Sequence, residues 1–91
     1  MDAPQDITEA QFFEMVDRFI NQANDYGTKI PQPHVSAALL YAAARYNAFN
    51  WVNRSQRLEQ TLEEAALLFT DEYEKMFRDN VQNLIALRSK N

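Results

Sequence analysis

The sequence predicts an all-α fold, a three-helix bundle-like domain that associates with itself through its second helix. The chain of 91 residues contains one glycine and three prolines, and every proline precedes residue 34. Few turn signals therefore remain in the later part of the chain, which favours long helices over strands. Apolar residues recur every three or four positions, the spacing of one helix face. With 46% apolar and 24% charged residues, the composition is globular, and the length corresponds to a single domain over residues 1–91.

The first helix is predicted over about residues 9–26, after a short polar lead-in at 1–7. Thr8 and Gln11 have the spacing of a capping box, in which each side chain accepts a hydrogen bond from the other residue's backbone amide. Gly27 is the natural residue to end this helix in a left-handed conformation. The apolar side chains of the helix share one face: Phe12, Val16, Phe19, Ala23 and Tyr26.

The second helix is predicted over about residues 33–52, after a rigid connector at 28–33 that contains two prolines. Pro33 suits its first turn. Between residues 36 and 49 the helix has small or apolar residues almost all the way round. One side, the Val35 face, consists of Val35, Ala38, Leu39, Ala42, Tyr46 and Phe49. The opposite side, the Leu40 face, consists of Ala37, Leu40, Tyr41, Ala44, Ala48 and Trp51.

The third helix is predicted over about residues 57–88, after a turn at 53–57. Its start is open between Ser55 and Thr61, because Thr61 and the glutamate three residues later form a second possible capping box. A single helix over 33–88 is the alternative, and it ranks lower because it would be about 80 Å long. One apolar stripe follows the third helix: Leu58, Leu62, Ala65, Ala66, Phe69, Tyr73, Met76, Phe77, Leu84 and Leu87.

Charge and composition exclude several classes of protein. The net charge is −4 and the pI about 4.8, so the chain repels phosphate backbones and no nucleic-acid partner is expected. The absence of cysteine excludes disulfides, thiolate nucleophiles and cysteine-based zinc sites. No apolar run reaches the length of about 20 residues that spans a membrane. The first residues lack the features of a secretory signal, and we expect a cytoplasmic protein.

The Leu40 face is the candidate interface. Two interpretations are open: both faces of the second helix are filled inside one compact bundle, or the Leu40 face covers another subunit or a partner protein. The second is favoured, with Leu40 and Trp51 as anchors and with alanines that permit close helix approach. Leu67 and Ile85, which lie off the apolar stripe of the third helix, are expected to extend the same patch. A homodimer is the simplest consequence, since a self-complementary face can cover itself.

Three polar residues interrupt apolar surfaces and are candidate buried polar groups: Arg45, Asn47 and Asn80. Arg45 is expected either to extend its charged end into solvent or to pair with a carboxylate of the neighbouring acidic helices, because residues 31–54 hold two arginines and no acidic residue. The alternative is a small-ligand pocket, of an accessory regulatory protein, around Tyr41, Arg45 and Trp51. Asn80 is either a buried amide that fixes helix register or a solvated edge of the stripe.

No constellation for catalysis is found, and an enzyme is not expected. His34 is the single histidine, and no carboxylate lies at metal-binding spacing from it, so a surface or capping role is expected. The acidic residues of the third helix indicate a solvated face supported by the pairs Asp71–Lys75 and Glu74–Arg78. With one glycine there is no phosphate-binding loop. We therefore predict no catalytic residues, no cofactor and no metal site.

The chain resembles a family of small bacterial proteins, domain of unknown function 3144. The resemblance rests on DRFINQAN (17–24), VSAALLYAAARYNAF (35–49) and DEYEKMFRDN (71–80) together with their spacing. It implies a small cytoplasmic helical domain. The family has no assigned activity, so the resemblance implies no catalytic or binding residue and no mechanism.

Overall fold

A computed structural model describes residues 6–54 and 60–89 of the chain. In these ranges the secondary structure is three α-helices without strands: α1 (Glu9–Gly27), α2 (Gln32–Arg54) and α3 (Leu62–Ser89). The predicted all-α, three-helix fold is confirmed. The chain divides into two compact units, one ending at Trp51 and one beginning at Val52. The single domain over 1–91 stays a prediction.

The predicted capping box begins α1. The Gln11 amide donates to the Thr8 hydroxyl oxygen over 3.0 Å, and the Thr8 amide donates to Gln11 Oε1 over 2.9 Å. Two amides of the first turn, which have no partner inside the helix, are therefore satisfied.

The end of α1 differs from the prediction. Gly27 is the last helical residue and its φ is not positive; the helix is capped by Thr28 in a right-handed conformation. The Thr28 hydroxyl donates to the Asp25 carbonyl over 2.8 Å, and the Ile30 amide donates to the Tyr26 carbonyl over 3.0 Å. Because these bonds satisfy the last carbonyls, no left-handed residue is required.

A short connector joins α1 and α2 into a helical hairpin. The Pro31 carbonyl accepts from the His34 amide over 3.0 Å and starts α2, and Pro33 lies in the first turn as predicted. Along α1 the half-buried residues lie on one side, at Val16, Ala23 and Gly27, and Val35 is half-buried on α2. In the hairpin, one face of each helix is therefore partly covered.

The boundary between α2 and α3 lies in part outside the described residues. α2 continues to Arg54, two residues beyond the prediction, and the predicted turn at 53–57 falls partly on residues 55–59, which lie outside the described ranges. α3 begins at Leu62 rather than near residue 57. The Glu64 amide donates to the Thr61 hydroxyl oxygen over 3.1 Å, and the Thr61 amide to Glu64 Oε1 over 3.3 Å. The later of the two starts considered is correct, because this second capping box fixes it.

Little apolar surface is buried within the described chain. Ala65 is buried, with 3% of its surface exposed, whereas large apolar side chains remain exposed on each of the three helices. Examples are Phe19 on α1 at 65%, Tyr46 on α2 at 69% and Leu67 on α3 at 72%. Scattered exposed apolar residues are ordinary in soluble proteins, but contiguous ones indicate a contact surface.

We expect Gly27→Ala to stabilise the protein by about 0.5–1 kcal/mol, because Gly27 is helical and an added Cβ meets nothing within 4 Å. Thermal denaturation followed by circular dichroism measures the change. Ala43→Gly, at an exposed position of α2, is the reverse control and should lower stability by a similar amount. A lower melting temperature for Gly27→Ala would show that the helix ends through a left-handed glycine after all.

Thr61→Ala tests where α3 begins. If Thr61 is the cap, the change removes a hydrogen bond to the Glu64 amide and costs about 1 kcal/mol. If the helix began near residue 57, Thr61 would be interior, and alanine, the better helix former, would raise stability. Thr61→Ser keeps the capping oxygen and should melt like the wild type. The sign of the shift in melting temperature distinguishes the two starts.

Candidate functional site

The Leu40 face is an exposed apolar surface along one continuous helix. Leu40 is 53% exposed and Tyr41 66% exposed, while Trp51, near the end of the face, is half-buried. The alanines of the face, at positions 37, 44 and 48, are exposed as well. Viewed down the axis of a helix with 3.6 residues per turn, the side chains of these residues all lie within about 60° of one direction, so they form one surface.

A polar strip lies beside the Leu40 face and contains Ser36, Asn47 and Asn50, all exposed. It gives α2 a narrow solvent-facing side that the sequence analysis did not separate from the two apolar faces. Leu67, predicted to extend the Leu40 face, is 72% exposed on α3. It belongs to the second compact unit, and its part in the patch stays a prediction.

An open apolar groove of about 480 Å³ lies within the first compact unit, between α1 and α2. It uses the Val35 face of α2 and the apolar face of α1. Its lining residues are Phe19, Gln22, Ala23, Tyr26, Ile30, His34, Val35, Ala38, Leu39 and Ala42. The sequence predicted the two faces, but it did not predict that they would leave a groove between them.

The chemistry of the groove suits apolar side chains. Ala23 and Val35 are half-buried, whereas Phe19, Tyr26 and Leu39 are 65%, 56% and 42% exposed. The lining contains no aspartate, glutamate, lysine or arginine. The groove therefore presents aromatic and aliphatic surface, the kind that an apolar helix face covers.

The three candidate buried polar residues, Arg45, Asn47 and Asn80, are exposed in the single chain. The burial predicted for them is therefore not found there. Asn80 donates from its Nδ2 to the Met76 carbonyl over 2.8 Å, a bond within its own helix. An asparagine at the edge of the stripe can donate its side-chain hydrogen bond to a backbone carbonyl of the preceding turn, so it needs no partner from another element.

The pairing expected for Arg45 is also not found among the described residues. Their ion pairs join Glu14 to Arg18 over 3.0 Å, Asp71 to Lys75 over 3.3 Å and Glu74 to Arg78 over 2.8 Å. All three link residues four apart on one helix, and the two predicted for α3 are confirmed. A carboxylate of another element would have to approach α2 to pair with Arg45, and periodicity within a helix cannot predict that approach.

The acidic residues of α3 behave as a solvated face. The hydrogen bond from Lys75 to Asp71 and the charge of that carboxylate raise the pKa of the Lys75 ammonium. Both side chains are more than half exposed, so the pair adds little to stability. In residues 6–54 and 60–89, no three histidine or acidic side chains are placed to hold a metal ion together.

The proposed ligand pocket around Tyr41, Arg45 and Trp51 has no counterpart among the two grooves described on the chain. The α1–α2 groove does not include these residues, and the second groove is a depression along α3 lined by Val81, Leu84, Ile85, Leu87 and Arg88. His34 lies at the edge of the α1–α2 groove and is exposed.

Comparison with known proteins returned one family. The model described as "Protein of unknown function (DUF3144)" matches residues 12–85. No curated protein and no solved structure matches the chain. No described helix is both long and apolar enough to cross a membrane.

Arg45→Ala and Arg45→Met are each expected to change the free energy of unfolding of the isolated chain by less than about 0.5 kcal/mol. Arg45 is exposed and has no ion pair among the described residues, and surface substitutions of this kind have small effects. Chemical denaturation of both variants below the concentration of any assembly measures this. A larger loss for Ala than for Met would instead show that the stem of Arg45 packs on the chain, since methionine keeps that packing. A large loss in both variants would support a carboxylate partner.

Proposed function

The chain belongs to the DUF3144 family of proteins of unknown function, and from that premise we propose that it is a non-enzymatic assembly module whose binding surface is the Leu40 face. The observation that carries the proposal is the exposure of Leu40 and Tyr41 on a helix whose opposite side already lines the hairpin groove. A helix that is apolar on two sides has two surfaces to cover. The hairpin covers only the start of the Val35 face, where Val35 is half-buried, and leaves Tyr46 and Phe49 69% and 64% exposed.

The energetics favour a contact at this face. Full burial of a side chain of this size contributes about 1.5–3 kcal/mol, so covering the exposed halves of Leu40 and Tyr41 contributes about 1 kcal/mol each. The alanines of the face, at positions 37, 44 and 48, add little area but let a second backbone come close, which increases the packing contact of every neighbouring side chain. The sum is modest, and we expect weak, concentration-dependent association rather than a permanent complex.

The electrostatics favour a protein partner over other ligands. α2 contains Arg45 and Arg54 and no acidic residue, and the chain as a whole is acidic. Two separated arginines do not form the basic cluster that nucleic acids require. The acidic residues that could serve general acid–base chemistry lie on exposed helix faces, in part within ion pairs. These features support an interaction surface rather than a reaction centre.

We place the module in the bacterial cytoplasm as part of the same proposal, on its acidic composition without cysteine. The small-ligand alternative around Tyr41, Arg45 and Trp51 gains no support from the grooves of the described chain. The α1–α2 groove adds a second apolar surface of the type that takes a helix.

Leu40→Glu is expected to reduce the solution mass of the wild-type assembly to that of the monomer. A carboxylate on the face must be desolvated without a partner, which weakens association by at least 100-fold. Light scattering across a concentration series measures the mass, and circular dichroism checks that the helices remain.

Asn50→Glu is the matched control, since it adds the same charge to the polar strip of the same helix and should keep the wild-type mass. A Leu40→Glu variant that retains the mass of the wild-type assembly would contradict the proposal. A wild-type monomer at every concentration would exclude self-association and would make another protein the partner of the face.

A further inference from the structure

We propose that the partner at the Leu40 face is a second copy of the chain, packed antiparallel along α2 with the two-fold axis at Ala44. The inference rests on the proposed function and goes beyond it by naming the partner and the orientation. It comes from the order of large and small residues along one unbroken helix, Gln32–Arg54.

Five of the six residues of the Leu40 face are spaced symmetrically, and Tyr41 is the exception. Ala37, Leu40, Ala44, Ala48 and Trp51 are separated by three, four, four and three positions. The pattern is unchanged when it is read backwards from Ala44. An antiparallel pair related by a two-fold axis requires this property, because each helix meets its partner's sequence in reverse.

The residue types complement one another under the same symmetry. With the axis at Ala44, Leu40 lies level with the partner's Ala48, and Trp51 lies level with the partner's Ala37. Each level combines one large and one small side chain, and the central level combines two alanines. Layers of this kind fill space evenly and let the helix axes approach to about 8 Å, the short end of the usual range.

A parallel pair lacks this complementarity. It would place Leu40 against Leu40 and Trp51 against Trp51, while the alanines at 37, 44 and 48 would face alanines and leave voids. Such alternation of crowded and empty levels costs both overpacking and lost contact. The order of residues therefore favours the antiparallel arrangement.

The edges of the Leu40 face carry polar and charged residues, which suit the solvent-exposed rim of a dimer. Ser36, Asn47 and Asn50 follow one edge, and Arg45 lies beyond Tyr41 at the other; all are exposed in the chain. The two-fold axis places both arginines on the same side of the dimer. Since α2 has no carboxylate to offset them, added salt should strengthen the pairing, whereas an acidic partner would be released by salt.

Engineered cysteines test the orientation without background, because the chain has no cysteine of its own. In the antiparallel pair the Cα atoms of the two Ala44 residues lie within about 6 Å, inside disulfide range. The two Leu40 residues are eight positions apart along the helix axis, about 12 Å, which is too far. Leu40 and the partner's Ala48 are at the same level.

We expect Ala44→Cys to form a disulfide with itself under mild oxidation. Leu40→Cys mixed with a size-tagged Ala48→Cys should give the mixed disulfide at least tenfold more than either self-disulfide. Asn50→Cys, on the polar strip, is the matched control and should remain reduced. Non-reducing electrophoresis reads the products, and light scattering confirms that each reduced variant keeps the wild-type mass.

The result that overturns the inference is equally definite. Self-disulfides of Leu40→Cys and of Ala48→Cys would mean parallel pairing. An absence of all these disulfides in a sample with the mass of a dimer would mean a different interface, and a wild-type monomer at every concentration would exclude the second copy. If Leu40→Glu dissociates the assembly while the cysteine pattern is not antiparallel, the inference fails and the proposed function stands. If Leu40→Glu leaves the mass unchanged, the proposed function fails as well.

Discussion

The second helix, α2, is apolar on two opposite sides, and this is the constraint that shapes the rest of the structure. A helix can turn one side toward a neighbour and the other toward water, but α2 has only a narrow polar strip for water. The hairpin with α1 partly covers the Val35 face, whereas Leu40 and Tyr41 remain exposed. A domain is stable by only about 5–15 kcal/mol, so the roughly 1 kcal/mol that each exposed half of Leu40 and Tyr41 would contribute on burial is a sizeable share of that total.

The connector decides which face of α2 is covered. Two hydrogen bonds near residues 28–30 finish α1, and the Pro31 carbonyl starts α2 after only a few residues. A short connector with restricted backbone angles allows few orientations of the second helix on the first. With Val35 placed in the hairpin, helix geometry directs the Leu40 face to the opposite side. The exposed surface is thus a consequence of the turn as much as of the residues that form it.

The distribution of charge is consistent with a surface for contact. The acidic side chains of α1 and α3 that take part in ion pairs use partners on their own helix, so they do not tie one element to another. On α2, Ser36, Asn47 and Asn50 lie at one edge of the Leu40 face and Arg45 lies at the other. Such an arrangement, an apolar centre with a polar rim, is the anatomy of a protein interface. A membership in a family of unknown function is compatible with this reading and adds no chemistry to it.

The presence of the three helices, their N-terminal capping boxes and the ion pairs of α3 could be predicted from residues a few positions apart. The capping boxes at Thr8 and Thr61 and the Asp71–Lys75 pair each join residues three or four positions apart, so local geometry is enough to predict them. The sequence did not determine the end of α1 at Gly27, because hydrogen bonds from the following residues replaced the left-handed turn. The groove between α1 and α2 and the exposure of Arg45 and Asn80 follow from how the helices pack, which the sequence pattern does not specify. Burial depends on which element packs on a residue. Periodicity along one helix identifies its apolar side, but it does not identify the element that packs there.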